Sequence, residues 1–307
     1  MSGTNSITRV EVGPRDGFQS IKRIINTEQK LRLIDRLYDA GIRRMEATAF
    51  VSDSAVPQFA DAAQVLQHAQ TLPGMDAQVL APNARHAERA LTAGAKHLAF
   101  VLSVSEKHNK NNVRRSALDS ANEYTSTTAM LPADVLIRLN VATAFDCPYD
   151  GAVNPARTLH LMECLLRAKS DEEVCLCDTT GRVTPDRVTS LFIEARERFP
   201  DIEDWAFHGH YTYGLGVANA IAARNAGVSV LDASFAGLGG CPFAPGATGN
   251  ISSEDIVWTF EQMKVGTGID FEKLLSAAHE GAALPGATYG GRVRNAISSS
   301  QCSPVAI

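Results

Sequence analysis

The chain has 307 residues, 45% hydrophobic and 21% charged, an ordinary globular composition and long enough to bury a large core. A formal charge of -5 and a pI near 5.9 argue against the basic face of a nucleic-acid binder, although local basic clusters can still hold phosphates. No window approaches ~18 uninterrupted apolar residues, which excludes a membrane-spanning helix. The start, MSGTNSITRVEVG, shows no charged segment followed by an apolar one, so no export signal is expected. The six cysteines are expected as reduced thiols in the cytoplasm.

In chain order, short β-rich runs alternate with amphipathic stretches. Strands are expected at 7–13, 44–50, 77–82, 97–104, 137–145, 173–179, 205–211 and 228–236. The helix over 27–40 places Leu31, Ile34 and Leu37 on one face, with Thr27 as its N-cap. Three helices end in an Ala-Gly step, at Ala40-Gly41, Ala93-Gly94 and Ala226-Gly227, where glycine permits a left-handed C-cap. The segment 105–125 is polar, and a helical run from Phe271 to about Ala283 precedes a tail expected to fray beyond Ser298. Eight strand–helix units imply a parallel sheet closed on itself. No Gly-x-Gly-x-x-Gly step follows the first strand, which weakens an open doubly wound sheet. The expected class is α/β, a (β/α)8 TIM barrel with a short C-terminal helical extension, as one catalytic domain over 1–307.

Barrel enzymes assemble their sites at the C-terminal ends of the strands, and unusual residues gather there. The first strand runs into Gly13-Pro14-Arg15-Asp16-Gly17-Phe18-Gln19, and the second carries Glu46, with Thr48 on the same face by alternation. The sixth ends in Asp178-Thr179-Thr180-Gly181. The seventh ends in His208-Gly209-His210, and glycine-rich loops reaching Asn250 follow the eighth. Histidines two apart on a strand point to one side, so His208 and His210 can converge on a cation, with Asp16 and Asn250 as oxygen donors. A bare His-x-His is often two ordinary histidines, but strand-end placement beside glycine loops favours the metal. The mixed nitrogen and oxygen set suits Mg²⁺ or Mn²⁺ better than zinc.

Arg15, in a turn between glycines, reads as a catalytic guanidinium with Glu46 as its partner. Asp178 is expected behind the site, holding a ligand or a lysine. Cys147, Cys164, Cys175 and Cys177 read as small core residues. Cys241 follows two glycines in a loop and is a candidate acid–base thiol or nucleophile.

These motifs, with Phe50-Val51-Ser52 and Val56-Pro57-Gln58, resemble the 3-hydroxy-3-methylglutaryl-CoA lyase family over nearly the whole chain. The resemblance implies that Asp16, His208, His210 and Asn250 ligate the metal and that Arg15 steadies a developing enolate. It further implies that Gln19, Lys22 and Glu46 line the pocket and that Cys241 closes over the substrate. It also implies an acyl-CoA substrate, no nucleic-acid or membrane partner, and a homodimer. The related synthases carry Gly-Glu-Arg where this chain reads Gly240-Cys241-Pro242, which favours a lyase. Tyr211, Phe18 and Ser20 stand where the family usually has Asp, Leu and Asn, and such changes bear on the acyl group.

The expected reaction is a reverse Claisen cleavage to acetyl-CoA and acetoacetate, with Asp16 or His208 taking the C3 hydroxyl proton. The alternatives are a lyase for another tertiary 3-hydroxyacyl-CoA, such as citramalyl-CoA or a longer branched 3-hydroxyglutaryl-CoA, a synthase or aldolase on the same barrel, and a non-catalytic ligand-binding barrel. Lys22, Lys107, Lys110, Arg114 and Arg115 are candidates for the CoA phosphates, a solvated charge run being the ordinary role of most of them.

Overall fold

A computed structural model describes residues 7–166, 173–240 and 249–301. All eight expected strands are present: β1 (Thr8–Glu11), β2 (Arg44–Ala49), β3 (Asp76–Leu80), β4 (His97–Ser103), β5 (Leu136–Ala142), β6 (Glu173–Asp178), β7 (Trp205–Gly209) and β8 (Val230–Ala233). Each pairs in parallel with its neighbours, and β1 closes on both β2 and β8 to complete the barrel.

The observed strands stop one to three residues short of several expected ends. The chain there leaves the ladder to build the rim, and His210 pairs with Asn250 in an isolated bridge instead. A register shift against β3 lies between Glu46 and Thr48, so simple alternation does not carry from one to the other.

Helices follow the strands in turn: α1 (Thr27–Asp39), α2 (Ala62–Thr71), α3 (Ala84–Thr92), α4 (Glu106–Val113), α5 (Ala117–Ala129), α6 (Pro155–Leu165), α7 (Pro185–Arg198), α8 (Gly216–Asn225), α9 (Ser253–Gln262) and α10 (Phe271–Ala282). In α1, Leu33, Ile34 and Leu37 are fully buried against the barrel. The N-cap of α1 is Asn26 rather than Thr27: its side chain accepts from Gln29 N at 2.8 Å, while Thr27 Oγ1 donates to Asp61. Gly41, Gly94 and Gly227 each adopt φ between +92° and +101°, the left-handed cap expected of the Ala-Gly steps.

The polar 105–125 segment holds α4 and α5, and a small hairpin (Asp146–Cys147 with Gly151–Ala152) follows β5. The C-terminal extension is α11 (Arg292–Gln301), packed on α9 and α10. Ser299 Oγ donates to Asn295 O one turn back in this helix, and residues 302–307 of the tail expected to fray lie outside the described residues.

Two layers fill the molecule. Between barrel and helices lies a large apolar core in which Phe192 packs edge-on against Trp205 and Phe207. A smaller cluster draws Val10, Val12, Cys175, Cys177, Ala206 and Val230 from four adjacent strands. Beside it runs a buried ionic chain: Arg138 pairs with Glu173 and Asp232, and Arg44 with Glu173. Groups so buried persist only when paired, because desolvation otherwise exceeds the Coulomb gain.

Candidate metal centre and active site

The chain leaves β1 in a tight π-helical turn, Gly13–Gly17, that carries Arg15 and Asp16 onto the barrel rim. Glu11 anchors this turn from below, accepting hydrogen bonds from Gly13 N, Phe235 N and Ser253 Oγ. Across the mouth stand His208 on β7 and His210 just past its end, with ring centroids 5.3 Å apart. Ligand atoms of Asp16, His208 and His210 lie within 4.8 Å of one another. Asn250 completes the group, its Nδ2 donating to Asp16 Oδ2 at 2.7 Å and to Leu238 O at 3.0 Å. Gly239, at φ +139°, makes room for it: a Cβ there would stand 2.5 Å from Asn250 Nδ2.

The donor atoms fit a hard divalent cation. Asn250 Oδ1 and His210 Nδ1 are buried and make no hydrogen bond, a costly arrangement unless a ligand satisfies them. His208 is oriented from behind by Asp232, whose Oδ2 lies 3.0 Å from His208 Nδ1. Burial alone would raise the Asp16 carboxyl, but Arg15 and the two histidines more than offset it and hold it at about 2. Burial likewise opposes charge on His208, yet Asp232, Cys177 and Asp16 raise it to about 9. His210 falls to about 4 through burial and the neighbouring positive His208, which keeps its imidazole neutral.

Arg15 stands beside this cluster. Its Nε donates to Glu46 Oε2 at 2.5 Å and its Nη1 to Asp16 Oδ1 at 2.6 Å, while Nη2 makes no hydrogen bond among the described residues. Burial works against its charge, but Glu46 and Asp16 outweigh it and keep the guanidinium protonated. Glu46 is the partner expected of it, with Oε1 buried and unpaired.

A cavity of about 150 Å³ joins these groups, lined by Arg15, Asp16, Gln19, Glu46, His208 and His210 among others. A second groove of about 380 Å³ shares Gln19, Leu80, Val101 and Asn112 with it and runs out past Arg114 and Arg115.

Two expected pocket residues fall elsewhere. Lys22 is exposed and lines neither space. Asp178 is fully buried outside the cavity, where its Oδ1 accepts from Gly181 N at 3.0 Å and its carbonyl accepts from His210 N. It shapes the loop and supports the backbone of His210, and burial raises its carboxyl to about 6. Cys241 lies outside the described residues; Gly240, just before it, lines the cavity.

Sequence reasoning missed Asp232 and Arg138, whose signal was a lone charge inside an otherwise apolar strand. It also missed Gln78, Asn140, His108 and Cys177 on the cavity wall. Cys177 is a core residue, as expected, that also borders the cavity.

Residues 6–280 match the HMGL-like family model. The chain belongs to the HMGL-like family. It is a lyase. The hydroxymethylglutaryl-CoA lyases of Pongo abelii and Homo sapiens, both named as mitochondrial, are 40% and 39% identical to it over 271 residues, 88% of this chain and 83% of theirs. A solved HMG-CoA lyase of Acinetobacter baumannii, in complex with coenzyme A and 3-methylmalate, superposes with a TM-score of 0.91 at 32% identity, covering 100% of both chains. The hydroxymethylglutaryl-CoA lyase of Pseudomonas aeruginosa gives 0.89 at 36% identity, covering 97% of this chain and 99% of its own. Among the described residues no helix is long and apolar enough to cross a membrane.

Proposed function

We propose that this HMGL-like lyase cleaves 3-hydroxy-3-methylglutaryl-CoA to acetyl-CoA and acetoacetate. The observation that carries the reading is the meeting of Asp16, His208 and His210 within 4.8 Å, beside a guanidinium with a free face. Asp16, His208, His210 and Asn250 would hold a divalent cation, Mg²⁺ or Mn²⁺ given their hard donors. Bound there, the cation supplies Lewis-acid polarisation of substrate oxygens and lowers the pKa of the C3 hydroxyl.

The chain's own residues then divide the work. Asp16 or His208 takes the hydroxyl proton; each is held in orientation by a second residue, Arg15 and Asn250 for the one and Asp232 for the other. As the C2–C3 bond breaks, charge develops on the thioester oxygen, and Arg15 Nη2 is the donor placed to receive it. Cys241, which follows Gly240 in the sequence, delivers a proton to C2.

The acyl group occupies the inner cavity, and the adjoining groove takes the CoA arm. Of its basic residues, Arg115 is paired with Glu123 at 3.1 Å, whereas Lys107 and Lys110 are paired on the outer surface with Asp150 and Glu106. We further read the chain as one catalytic unit acting as a homodimer in a reducing compartment such as the cytoplasm, consistent with the free thiols of Cys147, Cys164, Cys175 and Cys177.

The test is to present purified protein with 3-hydroxy-3-methylglutaryl-CoA and other tertiary 3-hydroxyacyl-CoA esters, identifying each keto product by mass. Acetyl-CoA and acetoacetate should appear with Mg²⁺ or Mn²⁺ and vanish with a chelator. Preferential release of pyruvate from citramalyl-CoA would replace the substrate; no product with any ester would end the reading.

A further inference from the structure

The reaction above leaves two polar groups on the cavity wall without a task. Gln78 on β3 and Asn140 on β5 are 1% and 8% exposed, and both line the inner cavity. They are the two ends of one buried chain. Gln78 Oε1 accepts from Arg44 Nη2 at 3.2 Å, Arg44 and Arg138 share Glu173, and Arg138 Nε donates to Asn140 Oδ1 at 3.0 Å. A guanidinium only donates, so each amide must turn its oxygen toward its arginine. Gln78 Nε2 and Asn140 Nδ2 are then the ends left for a guest, and neither makes a hydrogen bond among the described residues. Even Glu46, the register partner of Gln78 on β2, keeps its Oε1 unpaired. In the closed strand order β5 lies across the barrel from β1, and β3 across from β7. Both amides therefore stand on the wall opposite Asp16 and His208. Buried donors held in this way are costly unless something accepts from them.

We propose that the Asn140 and Gln78 amides bind the free carboxylate of the acyl group and restrict the enzyme to acyl-CoA esters that carry one. The assignment rests on the lyase reading and adds a substrate contact to it. Two donors with no acceptor between them match a carboxylate, which only accepts. The arginines behind the amides are already paired with Glu173 and Asp232, so the carboxylate meets neutral dipoles and the keto product is not trapped in an ion pair. The acyl group is thereby held at three places: its C3 hydroxyl toward the Asp16 and His208 side, its thioester oxygen toward Arg15, and its carboxylate toward the opposite wall. An apolar branch in place of the carboxylate would leave both amides buried and unsatisfied, which is how a site built for hydrogen bonding rejects an analogue.

The experiment exchanges donor for acceptor. Asn140→Asp and Gln78→Glu each keep the oxygen that the arginine requires and replace the NH₂ group with a second oxygen. Parent and variants, as full chains with Mn²⁺, are given 3-hydroxy-3-methylglutaryl-CoA and the analogue whose free carboxylate is a carboxamide. Both kcat/KM and calorimetric affinity are measured for each ester. Each variant should shift the ratio of the two esters by roughly 100-fold toward the carboxamide, whose NH₂ group can donate to the new carboxylate. A defect in folding would lower both esters alike, and retained Mn²⁺ binding shows that the centre is intact. A parent-like ratio in either variant that still binds Mn²⁺ overturns the proposal. So does a parent protein that cleaves 3-hydroxy-3-methylbutyryl-CoA, which has no free carboxylate, as fast as the glutaryl ester. If the parent cleaves no ester, the lyase reading falls, and the affinities still decide whether the two amides hold the carboxylate.

Discussion

At the residue scale, the proposed metal ligands stand out in the sequence because each is the wrong residue for its place unless it has a task. Histidines at alternate positions of an apolar strand end, and an Asp in a glycine-flanked turn, stand out in one dimension. The residue that aims them did not. Asp232 lies in a short apolar run, and only the fold shows its carboxylate reaching His208 on the next strand while Arg138 holds it from the other side at 2.8 and 2.7 Å. Such outer partners fix ring orientation, and their loss typically lowers metal affinity about 10–100-fold. Asp232→Asn should weaken Mn²⁺ binding by that factor in calorimetric titration, with the four ligands unchanged. An affinity within twofold of the parent protein would show that packing alone orients His208.

At the scale of elements, the strands were readable because burial on both faces demands continuous apolar runs. Their ends were not, because rim residues such as His210 and Ala236 continue the pattern after the ladder has stopped. Helices α4 and α5 were hidden for the opposite reason: EKHNKNNV has almost no apolar face, and its helix depends on capping by Ser105, as the next does on Ser116, whose Oγ accepts from Asp119 N.

The docking of α9 on the C-terminal helix turns on Glu254. Its Oε2 accepts from Ala236 N, its Oε1 lies 3.8 Å from Arg294 Nη1 without a hydrogen bond, and burial raises its carboxyl to about 8. The folded state therefore keeps a proton that the unfolded chain has released above its ordinary value of 4.5. Stability from this group is greatest below that value, falls as pH rises toward 8, and levels off beyond. The fall should be on the order of 3–5 kcal/mol. Glu254→Gln, neutral throughout, should flatten the slope in urea unfolding between pH 5 and pH 8 and be the more stable protein at pH 8. Parallel slopes for the two proteins would place the charge elsewhere.

At the scale of the whole molecule, barrel closure brings Asp16 from the first unit beside His208 and His210 from the seventh and Asn250 from beyond the eighth. A resemblance in sequence implied that meeting, but only the shape of the closed sheet shows how the atoms come within reach. A site stitched from both ends of the chain exists only when the barrel is closed, so whatever binds there binds the folded state alone. Mass action then sets the gain: at a cation concentration 100 times Kd, folding is favoured by about 2.7 kcal/mol. For a chain of this size that should raise Tm by roughly 5 °C. Calorimetry in excess Mg²⁺ or Mn²⁺ against chelator should show the rise in the parent protein, and Asp16→Asn should abolish most of it. The comparison separates this centre from cations held loosely by surface acids, since those would stabilise both proteins alike. Equal shifts in the two, or none in either, would mean that the four groups meet for a reason other than holding an ion.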